Sequence, residues 1–348
     1  MSVIEKPLDV ALEAPLERPL GHPILEVDGL AITVPTAAGR VEAVQAASFR
    51  VGRGEAIGLV GESGSGKTLT CRAVLGVLPP GCEVSKGSIT FDGVDVTKWE
   101  PKQWEAIHGS RLGAIFQDPA SYLNPSLPVG RQLAEVLRVK GGLSRQAARH
   151  RALELLSSMG LHRPEHVYHQ IPAELSGGMM QRVLIAIAIS CNPDLIVADE
   201  ATTALDVTTQ SEVVDLLRKL KDDLGMSVLF VSHDLAVVAE LCDRIVVFYA
   251  GEVVEVGERD DIISHPRHPY TEALLRVGSL AAREDDLEVI PGQPPAVGES
   301  RSGCRFAGRC PYEEDRCSAG PVPLSDVSPG RWARCVRVDE LALIGTGS

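Results

Sequence analysis

The stretch Glu55–Thr68, EAIGLVGESGSGKT, decides the fold. Its first half is a short apolar run of strand character. Its second half, Gly61-Glu62-Ser63-Gly64-Ser65-Gly66-Lys67-Thr68, places small residues where a strand must turn tightly into a helix. Small residues there let backbone N–H groups close on phosphate oxygens, and the helix N-terminus adds partial positive charge. Lys67 is placed for the β- and γ-phosphates of a nucleoside triphosphate, and the Thr68 hydroxyl for Mg²⁺. An ordinary glycine-rich turn is the plainer alternative; the strand before and the helix after argue against it.

Such a site needs a carboxylate-bearing strand to hold magnesium and align a water. DLIVADE, Asp194–Glu200, supplies both acids: Asp199 at the strand end for Mg²⁺ and Glu200 to polarise the attacking water. Two acids ending a strand are common by chance, so the weight comes from their combination with Gly61–Thr68.

The strand-like runs EAIGLVG, GAIFQD, DLIVADE, SVLFVSHD and RIVVFYAG alternate with amphipathic segments, which predicts an α/β sheet with helices on its faces. Between Asp118 and Leu175 the strand signal vanishes, and VGRQLAEVLRVK and RQAARHRALELLSSMG have helical spacing, so a helical subdomain is expected at about 118–180. After His265 the composition shifts to Pro, Gly and Cys, predicting a separate appendage with little core of its own. The expected layout is a mobile tail (1–23), an α/β ATPase domain (24–262) and a small Cys-rich extension (263–348). No internal repeat is visible.

With 348 residues and 44% apolar content the chain can pack a core, whereas 47 carboxylates against 34 Lys and Arg, net −13, leave no basic footprint for nucleic acid. The apolar run Val183–Ile189 is far short of the ~18 residues that a membrane-spanning helix needs. The N-terminus, with its four prolines and acidic residues, is unlike a secretory signal, and a cytoplasmic setting is expected.

LSGGMMQR, Leu175–Arg182, resembles the signature of ABC ATPases, and it lies upstream of Asp199 as in that family. A Ser and two Gly at a helix start present a hydroxyl and N–H groups to an anion. The resemblance implies a P-loop NTPase core of the ABC class. It implies that Ser176, Gly177 and Gly178 act on ATP bound to the opposite subunit. It also matches Gln117 to the Q-loop glutamine, a third Mg²⁺ ligand beside Thr68 and Asp199. Ala204-Leu205-Asp206 match the D-loop and His233 the switch histidine. Two positions depart from the pattern. Val34 stands where an adenine-stacking aromatic is expected, which predicts comparable use of ATP and GTP, and Ala201 stands where proline is usual.

HPRHPYTEALL, IPGQPPAV and GCRFAGRCPYEEDRC resemble the C-terminal extension of dipeptide and oligopeptide (peptide/nickel) importer ATPases, so the likeness covers Ile24 to Val336. It implies ATP-driven peptide uptake on the cytoplasmic face of a membrane. The implied partners are a second ABC ATPase, as a heterodimer, two transmembrane permeases and an extracytoplasmic solute-binding protein. The rival readings are nickel or another small solute as cargo, or a non-transport ABC ATPase with a redox-sensing cysteine module. No residue here is expected to contact cargo. The spacing C-x5-C-x6-C-x17-C of Cys304, Cys310, Cys317 and Cys335 leaves the metal open between zinc and iron–sulfur, and the resemblance implies a [4Fe-4S] cluster. His265 and His268 read as a structural turn between prolines, and Tyr270 as a packing anchor. Cys191 reads as a buried small hydrophobe; Cys71, Cys82 and Cys242 receive no function.

Overall fold

The computed structural model describes residues 22–37, 39–201, 206–277, 290–299 and 302–346. The expected N-terminal tail lies almost wholly outside the described residues, as do Ala204, Leu205 and the acidic segment 281–289. In chain order the elements begin with β1 (Leu25–Thr36), β2 (Gly39–Val51), β3 (Ala56–Val60), α1 (Lys67–Val74), β4 (Glu83–Phe91) and β5 (Val94–Asp95). There follow α2 (Pro101–Ile107), β6 (Leu112–Ile115), α3 (Pro119–Tyr122), α4 (Val129–Val139), α5 (Arg145–Ser158), α6 (Pro164–His169) and α7 (Gly177–Ile189). The last part holds β7 (Leu195–Asp199), α8 (Val207–Leu224), β8 (Ser227–Ser232), α9 (Leu235–Leu241), β9 (Arg244–Tyr249), β10 (Glu252–Glu258), α10 (Arg259–Ser264), α11 (Pro269–Val277), β11 (Ser325–Ser328) and β12 (Arg331–Ala333).

The chain divides into two compact units whose borders differ from those expected from composition. One comprises residues 22–24, Gly52–Gly54 and Trp99–Val228; the other comprises Leu25–Val51, Glu55–Lys98 and the chain from Leu229 onward. In the second unit β1 runs antiparallel to both β2 and β4. A further sheet there is ordered β11-β12-β10-β9-β3-β8, with β3 and β9 parallel and β10 antiparallel to β9. All five residues of β3 are buried, as a parallel strand covered on both faces requires. The Cβ that Gly58 lacks would fall 2.1 Å from Val238 Cγ1, so its bare backbone is what lets α9 lie on β3.

In the first unit β6 pairs in parallel with β7. Helix α4 buries Val129, Leu133, Ala134 and Leu137, one stripe of an amphipathic helix, and α5 starts on Ser144, whose hydroxyl accepts from Ala147 N–H at 3.3 Å. Helix α7 is apolar nearly all round, with Val183, Leu184, Ile185, Ala186, Ala188 and Ile189 buried, as befits a central helix.

The C-terminal residues are not a free-standing appendage with little core. Strand β12 adds to β10, pairing Ala333 with Glu255 and Trp332 with Val256. Phe306 joins the buried rings of Tyr249 and Tyr270, with centroids 5.2 and 5.4 Å away. The extension therefore shares a core with β9 and α11, and composition misses this because its apolar anchors are few and far apart. Among the described residues no helix is long and apolar enough to cross a membrane.

Candidate functional site

The phosphate loop leaves the end of β3 and closes on its own oxygens. Gly61 has φ 151°, and a Cβ there would sit 2.0 Å from the Phe248 carbonyl oxygen, so no other residue fits without movement. Gly66, at φ 103°, caps α1, and the Thr70 N–H and hydroxyl both return to its carbonyl at 3.0 Å. The Lys67 ammonium is buried and donates to Gly61 O (2.7 Å), Glu62 O (2.9 Å) and Ser65 Oγ (3.3 Å). Ser65 is buried, Thr68 half-buried, and Ser63 and Gly64 exposed, so the open rim of the loop is made of small residues. His233 follows β8 in the same unit with its side chain exposed, next to Asp234, which caps α9 through Ala236 N–H at 2.8 Å.

The other candidates for the nucleotide site belong to the first unit. Asp199 ends β7 and is buried; Glu200 follows it with φ 49°, a left-handed backbone that a non-glycine residue rarely adopts. The next residue, Ala201, is buried, and its carbonyl accepts from Gln181 Nε2 at 2.7 Å. The signature helix thus holds the turn that bears Glu200 through Gln181, a link that reading the motif does not reveal. Ser176 caps α7, accepting from Met179 N–H at 3.3 Å; Ser176 and Gly177 are exposed and Gly178 is half-buried. Gln117 is exposed between Phe116 and Asp118, and the Phe116 ring stacks on Tyr122 with centroids 4.2 Å apart. Asp206 caps α8 with its carboxylate on Thr209 N–H (3.0 Å) and Thr209 Oγ1 (2.8 Å), bonds that hold it below the usual carboxylate range.

The four late cysteines line one cavity together with His268, Phe306, Tyr312 and Leu341. All are free thiols, and burial pushes Cys304 up, Cys310 up to about 12 and Cys335 up to about 11. Gathered thiols are the donor chemistry that zinc or an iron–sulfur centre takes, and in that respect the residues fit. Among the described residues, however, no three His, Cys, Asp or Glu side chains stand at metal-holding geometry. His268 is buried, takes the Tyr270 N–H on Nδ1 at 3.0 Å, and burial lowers its pKa to about 3; His265 ends α10. The histidine pair is thus a structural turn. Cys71 and Cys242 are buried, whereas Cys191, just past the end of α7, is half-buried rather than fully so.

Two residues bear on the phosphate loop from far along the chain. Tyr270, expected as a packing anchor, also accepts Glu62 N–H on its hydroxyl at 2.8 Å, and Arg309 grips the Glu62 carboxylate at 2.8 and 3.0 Å. The hint in the sequence was arginine interleaved with cysteine in an acidic chain, since a buried guanidinium needs a carboxylate.

Comparison with known proteins gives the family. Residues 44–203 match the ABC transporter family, and residues 254–317 match the C-terminal region of oligopeptide/dipeptide transporters. The oligopeptide transport ATP-binding protein OppD of Bacillus subtilis is 44% identical over 292 residues, covering 83% of this chain and 82% of its own. AppD of the same organism, also an oligopeptide transport ATP-binding protein, is 41% identical over 319 residues, covering 91% and 97%. Among solved structures, a dimeric ATP-binding cassette in a post-hydrolysis state with ADP and Pi is similar with TM-score 0.61 and 28% identity, covering 68% of this chain and 98% of that one. The cbiO1 protein of Clostridium perfringens, part of an ABC transporter complex, is similar with TM-score 0.59 and 26% identity, covering 69% and 90%. The chain belongs to the ABC transporter family of ATP-binding proteins and has its α/β ATPase fold.

Proposed function

We propose that this chain binds and hydrolyses ATP to drive uptake of oligopeptides or dipeptides, working on the cytoplasmic face of the cell membrane. The observation that carries the reading is that one chain unites the Gly61–Thr68 loop, with Lys67 buried in it, and a C-terminal region like that of oligopeptide/dipeptide transporters. Its domains are read as an ATPase domain at 24–262, a helical subdomain at about 118–180, and a C-terminal extension at 263–348.

In this reading the N–H groups of Gly61, Ser63, Gly64, Ser65 and Gly66 cradle the triphosphate, while Glu62, whose N–H donates to the Tyr270 hydroxyl, keeps its place in the loop. Lys67 exchanges its loop oxygens for β- and γ-phosphate oxygens. Thr68, Asp199 and Gln117 are read as the Mg²⁺ ligands, and each offers a hard oxygen donor of the kind that suits this ion, which would supply neutralisation of phosphate charge. Glu200 takes a proton from the attacking water while the bond from γ-phosphorus to the bridging oxygen of ADP breaks. His233 is read as the switch that registers the γ-phosphate. Ser176 and Gly177, exposed at the start of α7, and the half-buried Gly178 close the site of a second ATPase subunit, and Asp206 is read as part of that same seam. Hydrolysis removes charge from the seam and releases the halves, moving two attached permeases that receive cargo from a solute-binding protein. A relative of this chain is read as the second ATPase. The four thiols Cys304, Cys310, Cys317 and Cys335 are read as holding a structural [4Fe-4S] cluster, with zinc as the alternative.

The test is Glu200→Gln in the assembled transporter. ATP binding should persist while hydrolysis and peptide uptake fall at least ~100-fold, the scale of a lost general base. Hydrolysis at the normal rate would show that another group activates the water.

A further inference from the structure

We propose that Arg309 and Tyr270 are positioning residues for the phosphate loop: they fix Glu62, neutralise its carboxylate, and so set the affinity for nucleoside triphosphate from within the C-terminal region. The inference rests on reading Gly61–Thr68 as the triphosphate loop.

Glu62 is held at every polar group. Its N–H donates to the Tyr270 hydroxyl at 2.8 Å, and its carbonyl accepts from Lys67 Nζ at 2.9 Å. Its carboxylate receives a fork from Arg309, Nη1 to Oε2 at 2.8 Å and Nη2 to Oε1 at 3.0 Å. This is not a surface ion pair whose worth solvent erases, because the Arg309 side chain is only 5% exposed. The guanidinium is itself fixed by donating to Pro291 O (2.8 Å), Ile290 O (3.2 Å) and Tyr249 Oη (3.2 Å). It also lies over the rings of Tyr249 and Phe306, 5.7 and 5.9 Å from their centroids. Tyr270 is fully buried, its ring 4.5 Å from that of Tyr249. A rigid aromatic wall thus presents one hydroxyl and one planar cation to the second residue of the loop.

The charge matters because the loop must accept a polyanion. A free carboxylate at Glu62 would repel it; paired with Arg309, the position is neutral. Removing Arg309 therefore loosens the loop and also uncovers a like charge beside the ligand.

Equilibrium ATP binding to the full-length protein tests this, with Lys67→Ala as the control for the loop itself. Arg309→Gln should weaken ATP about tenfold at low salt and less at high salt, where the uncovered charge is screened. Adding Glu62→Gln to Arg309→Gln should restore most of the loss at low salt and remove its dependence on salt, a signature of charge beside the ligand that a loss of fold would not give. Tyr270→Phe keeps the ring and removes one acceptor, so a loss of a few-fold is expected with the melting temperature nearly unchanged. Wild-type affinity in both Arg309→Gln and Tyr270→Phe, with Lys67→Ala impaired, would overturn the proposal. If Arg309→Gln does not fold, Tyr270→Phe decides alone. Wild-type affinity in Lys67→Ala would instead overturn the reading of Gly61–Thr68, and the proposal with it.

Discussion

Lys67 of the phosphate loop and two arginines toward the cysteine-rich end, Arg309 and Arg331, differ in how far along the chain they find partners. Lys67 meets Gly61, Glu62 and Ser65, at most six residues away. Arg309 reaches Glu62 across 247 residues, and Arg331 reaches Glu255 across 76. A lysine held by its own loop can be read from eight consecutive letters. An arginine whose partner is set by the packing of distant strands cannot, because any of the chain's carboxylates is an equal candidate until the fold selects one. The contrast also bears on cost: the local arrangement forms with the strand-to-helix turn, while the distant pairs are buried charges that must be matched once the core closes.

The largest expected effect lies on the distant side. Arg331 donates to Glu255 Oε1 at 3.0 Å and also to Asp261 O and His265 O, and Glu255 is fully buried. Glu255 in turn accepts Arg267 N–H (2.8 Å) and His268 N–H (2.9 Å), so one carboxylate organises the turn into α11. Arg331→Met leaves that carboxylate buried without its cation and should lower stability by about 3–5 kcal/mol, read as a fall in the denaturant midpoint. A double variant that adds Glu255→Gln should recover part of the loss. An unchanged midpoint in Arg331→Met would mean that the distant pairs add no stability and would break the contrast.

Gly61→Ala probes the local side and sharpens it. The residue belongs to the eight-letter pattern, yet the atom that forbids a side chain is the Phe248 carbonyl, 2.0 Å from where a Cβ would stand. The substitution should weaken ATP binding about tenfold or more, since overpacking of this kind costs about 1–3 kcal/mol and the loop is the part that must shift. Normal ATP affinity would show that β9 yields there and that the loop tolerates displacement.

These cases show what the sequence made legible. The runs EAIGLVG, DLIVADE, SVLFVSHD and RIVVFYAG became β3, β7, β8 and β9 because short apolar runs have few other ways to bury themselves. The helix start at Ser176 was legible from Leu175–Arg182, and Ser176 does stand there, accepting Met179 N–H as the cap of α7. The link from Gln181 to Ala201 O and the grip of Arg309 on Glu62 were not legible, because a side-chain hydrogen bond between separate elements depends on packing. The shared core of Tyr249, Tyr270 and Phe306 was hidden for a related reason. Three aromatics scattered through Tyr249–Phe306 carry no periodicity, and composition made that end look like a separate piece.

The smallest expected effect is at Val34, where the local pattern lacks a part. Val34 lies half-buried in β1, paired with Val41 across the β1–β2 register, and a valine offers a base no π-face to stack on. Affinity then rests on the phosphate contacts of Gly61–Thr68, which are common to every nucleoside triphosphate, so the wild type should hydrolyse GTP within a few-fold of ATP. Val34→Tyr adds a stacking surface worth about 1 kcal/mol, roughly fivefold in affinity, and should tighten ATP and GTP alike because stacking is tolerant of base identity. The check is a pair of binding titrations on each protein. A strong ATP preference in the wild type would place a base-reading group elsewhere in the chain, another long-range contact of the kind that joins Arg309 to Glu62. Equal binding, with a matched gain in Val34→Tyr, would leave nucleotide affinity to the loop and the residues that hold it.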